Sequence, residues 1–129
     1  INLLDREPIN EGILDYCQRQ GIGFISFSPL AQGLLTDRYL HGVPDDSRMA
    51  RNHFLKKERL TPELLNYLQR LNATATERGE SLAEMALSWV LHQQGITSVL
   101  VGASNPEQLQ KNLRSVHAQP FDENIEAIV

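Results

Sequence analysis

The chain has 129 residues, a formal net charge of -4, 41% hydrophobic residues and 22% charged residues, which are ordinary values for a globular domain. The mild acidity disfavours a general nucleic-acid-binding protein, and no apolar run approaches the roughly 20 residues of a membrane-spanning helix. A single cysteine, Cys17, excludes an internal disulfide and a cysteine-based zinc site. We expect one modest domain in the cytoplasm. Since the chain starts at Ile1 and enters an apolar stretch almost at once, we also expect it to be part of a longer protein.

The first part of the chain alternates between apolar segments and a helical pattern. Residues 1–4 predict a short strand, and residues 11–20, with Asn10 as the N-cap, predict a helix. Residues 24–27 are apolar at all but one position, which predicts a strand covered on both faces. Residues 40–60 show little periodicity and carry several basic side chains, so we expect a long loop that is functional or mobile.

Two helices follow this loop. Thr61 and Pro62 are a cap and a first helical residue, and we expect their helix to run to about Glu77. Ser81 and Glu84 have the spacing of a capping box at the start of the next helix.

The last part of the chain returns to a strand and then to helices. Residues 97–104 predict a third strand, after which Asn105 caps a helix with Gln108 closing the box. A final helical turn is expected over residues 122–128. Strands that alternate with helices indicate a parallel sheet.

Two loops stand where parallel α/β proteins bind ligands, at the carboxyl ends of strands. Residues 28–33 follow the second strand and combine a serine and a proline with small residues that let main-chain donors approach a ligand. Gly102 and Ser104 follow the third strand and lead into a helix N-terminus, which attracts phosphate. Each loop alone also fits an ordinary turn or cap. Together they predict an anion site, with Arg38 and Arg48 as phosphate ligands or, alternatively, as solvated surface charges.

Catalytic and metal sites are not indicated. The four histidines have no metal-ligand spacing, and no serine lies in a nucleophile elbow. We therefore expect no metal site and no catalytic residue in this chain.

Four segments together resemble the C-terminal part of aldo-keto reductases, especially the branch of bacterial glyceraldehyde 3-phosphate reductases and potassium-channel beta subunits. They are "GIGFISFSPLAQGLLTDRYL", "PDDSRMA", "LAEMALSWVL" and "TSVLVGASNPEQLQKNL". The resemblance covers nearly the whole chain. It implies one domain fragment over residues 1–129: the C-terminal portion of a (β/α)8 TIM barrel, with about three parallel strands and their helices.

The resemblance also implies a function, since this family reduces aldehydes and ketones by hydride transfer from NADPH. The parent would then be an NADPH-dependent oxidoreductase, and this chain would bind the cofactor. The implied cofactor-binding residues are Ser28, Pro29, Leu30, Ala31, Gln32, Gly33, Arg38, Arg48, Gly102, Ser104, Gln108 and Asn112. Lys111 departs from the pattern because relatives often carry a glutamate there.

The family's catalytic tyrosine and its partners belong to the first half of the barrel, so the 129-residue chain alone is predicted to be inactive. The alternative is a non-catalytic nicotinamide-binding regulatory module of the channel beta-subunit type. The expected partners are a small carbonyl substrate for the parent and, for the fragment, itself or the missing N-terminal part. Neither nucleic acid nor a membrane span is expected.

Overall fold

A computed structural model describes residues 1–45, 47, 50 and 57–129. The described residues form a two-stranded sheet with helices before, between and after its strands. The strands are β1 (Phe24–Ser26) and β2 (Ile96–Val99). The helices are α1 (Glu7–Asn10), α2 (Ile13–Arg19), α3 (Pro62–Glu77), α4 (Leu82–His92), α5 (Pro106–Arg114) and α6 (Glu123–Glu126).

Strands β1 and β2 are parallel, as the alternation of strands and helices predicted. Their register pairs Ser26 with Val99 at the carboxyl end of each strand, with an irregularity after Phe24. There the amide of Phe24 donates to the Thr97 side-chain oxygen over 3.0 Å. At the other end, the amide of Leu100 donates to the Ser26 carbonyl over 2.8 Å. Both strands therefore end at the same edge of the sheet.

The predicted strand over residues 1–4 is wrong. Asn2 and Asp5 exchange two main-chain hydrogen bonds of 3.0 Å and close a tight turn instead. The segment is nevertheless buried, with Ile1 7% and Leu3 3% exposed. Its apolar character reflects this burial, which four residues can achieve without forming a strand.

The predicted helix over residues 11–20 is shorter at its start and lacks the predicted cap. Asn10 ends α1, and Gly12, at φ 72°, precedes α2 without a side-chain cap. Proline at the start of α1 accounts for this extra turn, because proline favours a first helical position. Gly21 follows α2 in a left-handed conformation, at φ 66°, as is common for a glycine after a helix.

One side of the sheet is uncovered in the described residues, contrary to the prediction of a strand buried on both faces. Ser26 is fully buried, whereas Ile25 is 56% exposed and Phe27, just beyond β1, is 71% exposed. Strand β2 is also shorter than predicted and ends at Val99, so that Leu100 lies beyond it and is 58% exposed. An apolar run indicates that a strand prefers to be buried. The surface that covers it comes from residues distant in sequence, so the run itself does not identify that surface.

The predicted caps of the later helices are confirmed. Thr61 accepts a hydrogen bond from the Leu64 amide at the start of α3. Hydrogen bonds from the main-chain amide of Glu63 and from the Thr61 side chain lower the pKa of the Glu63 carboxyl. Ser81 and Glu84 form both bonds of the capping box of α4, at 3.2 and 2.7 Å. The final helical turn is present as α6.

The core lies between the two long helices, α3 and α4, and the part of the chain that precedes α3. Leucines of the two helices and the side chains that follow β1 fill it; the fully buried members include Leu34, Leu35, Leu68, Leu71, Leu82, Met85 and Val90. Among the residues that the structure describes, no helix is long and apolar enough to cross a lipid bilayer.

Candidate functional site

Two loops leave the shared edge of the sheet, one after Ser26 and one after Val99. They contain the segment 28–33 and the segment 102–105, which the sequence singled out. Because the strands are parallel and in register at their carboxyl ends, both loops begin side by side. The shared starting point that the anion-site hypothesis requires is therefore present.

The first loop contains an unusual run of left-handed backbone. Ser28, Ala31 and Gln32 have φ values of 52°, 48° and 61°, and Gly33 follows at 101°. A non-glycine residue in this conformation costs about 1–3 kcal/mol, and such residues concentrate at ligand-binding sites. The strained segment coincides with the residues predicted to bind the cofactor.

Neighbouring bonds and buried side chains hold the strained loop in place. The amide of Ala31 donates to the Ser28 carbonyl over 3.0 Å, and the Thr36 hydroxyl donates to the Gly33 carbonyl over 2.7 Å. Leu34 and Leu35 are completely buried directly after the strained residues. The loop is thus tied to the core while Ser28 remains exposed.

Of the two arginines predicted to bind phosphate, the structure describes only Arg38. Arg38 is exposed in a 3-10 turn, Asp37–Tyr39, where its amide bonds to the Thr36 hydroxyl. Arg48 lies outside the described residues, as do most of the basic side chains of the predicted long loop.

The second loop is organised by the first turn of α5. The Asn105 side chain accepts from the Gln108 amide over 2.9 Å, which confirms the predicted cap. The Gln108 side chain in turn accepts from the Ser104 amide over 2.9 Å. The box therefore closes on Ser104, one residue earlier than the ordinary pattern, and brings two predicted site residues into direct contact.

Gly102 has no structural reason to be glycine among the described residues. A Cβ atom there would meet no heavy atom within 4 Å, and the backbone lies outside the left-handed region. Open space beside the main chain suits the close approach of a ligand. The residues of the second loop therefore fit a phosphate-bearing cofactor.

Asn112 and Lys111 face different surroundings on α5. Asn112 is 9% exposed and lines a cleft of about 100 Å³ with apolar residues of α4 and β2, including Leu87 and Val99. Lys111 forms a 3.0 Å ion pair with Glu107, and both side chains are more than half exposed.

A larger cavity, of about 310 Å³, lies elsewhere. It is lined by residues around the α3–α4 connection and the end of α5, including Glu80, Glu84, Arg114 and His117. It contains none of the predicted site residues. Within the described part of the chain, no group of three or more histidine, cysteine, aspartate or glutamate side chains is arranged to hold a metal ion.

One residue of the site region was missed by sequence reasoning. The Asn2 side chain donates a hydrogen bond to the Ser28 carbonyl over 3.1 Å, across 26 positions of sequence. No local pattern signals such a contact, because it depends on how residues 1–5 fold back against the end of β1.

Curated relatives match most of the chain in sequence. An L-glyceraldehyde 3-phosphate reductase of Escherichia coli O157:H7 is 49% identical over 124 residues, which are 93% of this chain and 36% of that protein. A probable voltage-gated potassium channel subunit beta of Arabidopsis thaliana is 33% identical over 123 residues, or 93% of this chain and 38% of that protein. The chain thus spans a little over a third of the length of these relatives.

The fold agrees with that of a solved relative. A crystal structure of a thermostable aldo-keto reductase in complex with the inhibitor epalrestat superposes with a TM-score of 0.68 at 20% identity, covering 99% of this chain and 36% of that chain. This likeness confirms the predicted fold, a portion of a (β/α)8 barrel. The model of the aldo/keto reductase family matches residues 1–129, and the chain therefore belongs to that family.

Proposed function

We propose that this chain is the cofactor-binding part of an NADPH-dependent oxidoreductase that reduces aldehydes or ketones by hydride transfer. The observation that carries the proposal is the parallel register of Ser26 and Val99, which starts both candidate loops at one sheet edge. The 49% identity to an L-glyceraldehyde 3-phosphate reductase supports the reductase reading.

The proposed roles of the first loop come from the family resemblance, and its left-handed backbone supports them. Residues 28–32 would lie along the pyrophosphate, with Gly33, at φ 101°, permitting the turn. Arg38, together with Arg48, would neutralise phosphate charge, because a guanidinium can bind two phosphate oxygens at once.

The second loop would hold the adenosine end. Gly102 leaves room beside the main chain, and Ser104 and Gln108 are already joined by a hydrogen bond. The dipole of α5 favours negative charge at this end of the helix. Asn112 would complete this part of the site, and the paired Lys111 has no assigned role.

When bound, NADPH supplies the hydride. This chain would bind and orient the cofactor, while the proton donor and its partners would lie in the remainder of the barrel. None of these residues is assigned a catalytic role, and a cytoplasmic location remains a prediction from the sequence.

Turnover tests the proposal. The longer protein that carries this chain is expected to bind NADPH and to reduce small aldehydes, measured by loss of nicotinamide absorbance. The isolated 129-residue chain is expected to show no turnover and to sediment as an associated species, because Phe27, Leu113 and Val116 are each more than half exposed. Turnover by the pure chain would contradict the assignment.

The alternative is a nicotinamide-binding regulatory module, which the 33% identity to a probable channel beta subunit favours. It would bind NADPH tightly without reducing any member of an aldehyde panel. That result would replace the reductase reading with the module reading and leave the cofactor site intact. Absence of NADPH binding would contradict both.

A further inference from the structure

We infer that Asn2 is a positioning residue for the first loop, residues 28–33. It stabilises this loop by a hydrogen bond to the Ser28 carbonyl. This inference rests on the proposed function, since it assigns a role in binding that same cofactor. Asn2 would touch neither the cofactor nor the substrate. It would act by keeping the strained loop in its binding conformation before the ligand arrives.

Both ends of the Asn2 amide are engaged. Its nitrogen donates to the Ser28 carbonyl over 3.1 Å, and its oxygen accepts from the Leu4 amide over 2.9 Å. The side chain is buried, with the residue only 6% exposed. A buried amide with a donor and an acceptor partner has one satisfactory orientation, so its direction is set by these two bonds.

The Ser28 carbonyl oxygen accepts the hydrogen bond that closes the turn of the first loop. It accepts from the Ala31 amide over 3.0 Å as well as from Asn2, and so receives two donors. Both Ser28 and Ala31 are left-handed, at φ 52° and 48°. Because such a backbone persists only where its surroundings impose it, an external donor on this carbonyl opposes relaxation of the turn.

The segment that contains Asn2, residues 1–6, is itself bonded to the rest of the fold. The buried Ser26 hydroxyl donates to the Ile1 carbonyl over 3.0 Å, which ties the segment to the last residue of β1. Arg6 donates to the Leu3 carbonyl over 3.3 Å and lies 4.7 Å from the centre of the Trp89 ring. Asn2 therefore belongs to a fixed part of the fold, against which a loop can be held.

The consequence is a loop that is preformed for binding. If only a fraction of molecules holds the binding conformation, the apparent dissociation constant rises in inverse proportion to that fraction. Loss of the Asn2 donor would lower this fraction. The effect would appear in cofactor affinity and would be equal for NADPH and NADH, because the two share the pyrophosphate.

The test uses the longer protein with Asn2→Ala and Asn2→Asp. The first removes both hydrogen bonds of Asn2 without adding charge, and the second keeps the acceptor for Leu4 while replacing the donor to Ser28 with a carboxylate oxygen. We expect each to raise the dissociation constants of NADPH and NADH about tenfold, which is the effect of one lost hydrogen bond. At saturating cofactor, kcat should stay within about twofold of the wild-type value on this account.

Tyr67→Phe is the matched control. It also removes one side-chain donor to a main-chain carbonyl, the 3.0 Å bond from Tyr67 to Val129, in a part of the fold outside the loops. Its thermal midpoint should fall while its NADPH affinity stays within about twofold of wild type, because the loop is untouched. Equal weakening in this control would overturn the inference and show a general loss of stability.

Failure of the inference and failure of the proposed function give different results. A wild-type protein that binds NADPH, with a folded Asn2 variant of unchanged affinity, overturns the inference alone. A wild-type protein that binds no NADPH overturns both. If neither variant folds, hydrogen exchange of the unliganded wild type decides: protected amides at Ala31 and Gly33 support a preformed loop, and fast exchange that NADPH alone suppresses overturns it.

Discussion

Replacing Arg78 with methionine is expected to lower the free energy of unfolding by about 3–5 kcal/mol, the range for breaking a buried ion pair. Arg78 follows α3 and binds Glu80 through two nitrogen atoms, at 3.1 and 3.2 Å. Their side chains are only 6% and 11% exposed. The same guanidinium donates to the carbonyls of Gln119 and Pro120 and lies 4.3 Å from the centre of the Phe121 ring.

The cost arises because methionine replaces the volume of the arginine but none of its donors. Glu80 would remain a poorly solvated carboxylate without its partner, and the segment leading to α6 would lose two bonds to the α3–α4 connection. Urea denaturation of the variant and the wild type measures the difference.

Arg19→Met is the control for this prediction. Arg19 forms a 2.9 Å pair with Asp15 on α2, but both side chains are more than 60% exposed. Such pairs contribute about 0–1 kcal/mol. A loss at Arg78 no larger than the loss at Arg19 would contradict the view that Arg78 joins two parts of the fold.

Gly95→Ala is expected to destabilise the protein by about 3–4 kcal/mol, from backbone strain and overlap together. Gly95 immediately precedes β2 at φ 91°. An added Cβ would lie 3.1 Å from the main-chain oxygen of Leu14 in α2. Since that oxygen belongs to a helix, it cannot move aside as the end of a flexible side chain would.

Gly12→Ala separates the two contributions. Gly12 is also left-handed, at φ 72°, but an added Cβ would meet nothing within 4 Å among the described residues. This variant should lose only the strain term of about 1–2 kcal/mol. Equal losses at the two glycines, measured by thermal or urea unfolding, would show that the contact with Leu14 carries no cost.

Helix ends were the features most readily predicted from the sequence. Thr61, Ser81 and Asn105 each accept the expected main-chain hydrogen bond. A cap is a bond between residues three positions apart, so its information is local. The parallel pairing of the strands was also predictable, because it follows from the alternation of elements.

Apart from the Asn10 cap, where Pro8 lies at the start of an extra helical turn, what failed was decided by distant contacts. Ile1, Leu3 and Leu4 pack on the core, and a turn serves that purpose as well as a strand. The left-handed φ values of Ser28 and Ala31 have no sequence signature, since neither residue is a glycine. The sequence also did not indicate the bond from Asn2 to the first loop, because its partner, Ser28, lies 26 positions away.

The candidate site was predicted in two steps of different strength. Strand order and helix-terminus chemistry indicated two loops and an anion, and the family resemblance named the individual residues. The structure joins Ser104 to Gln108 and strains the segment that begins at Ser28. Arg48 lies outside the described residues, and its role stays a prediction.

The central claim, that one dinucleotide is held by both loops, is tested most directly by hydrogen exchange of the longer protein with and without NADPH. We expect the cofactor to add to the protection that residues 28–35 already have in the free protein and to slow amide exchange in residues 102–108 at the same saturating concentration, while the exchange of α3 changes little. Protection of only one loop, or of neither, would contradict the claim.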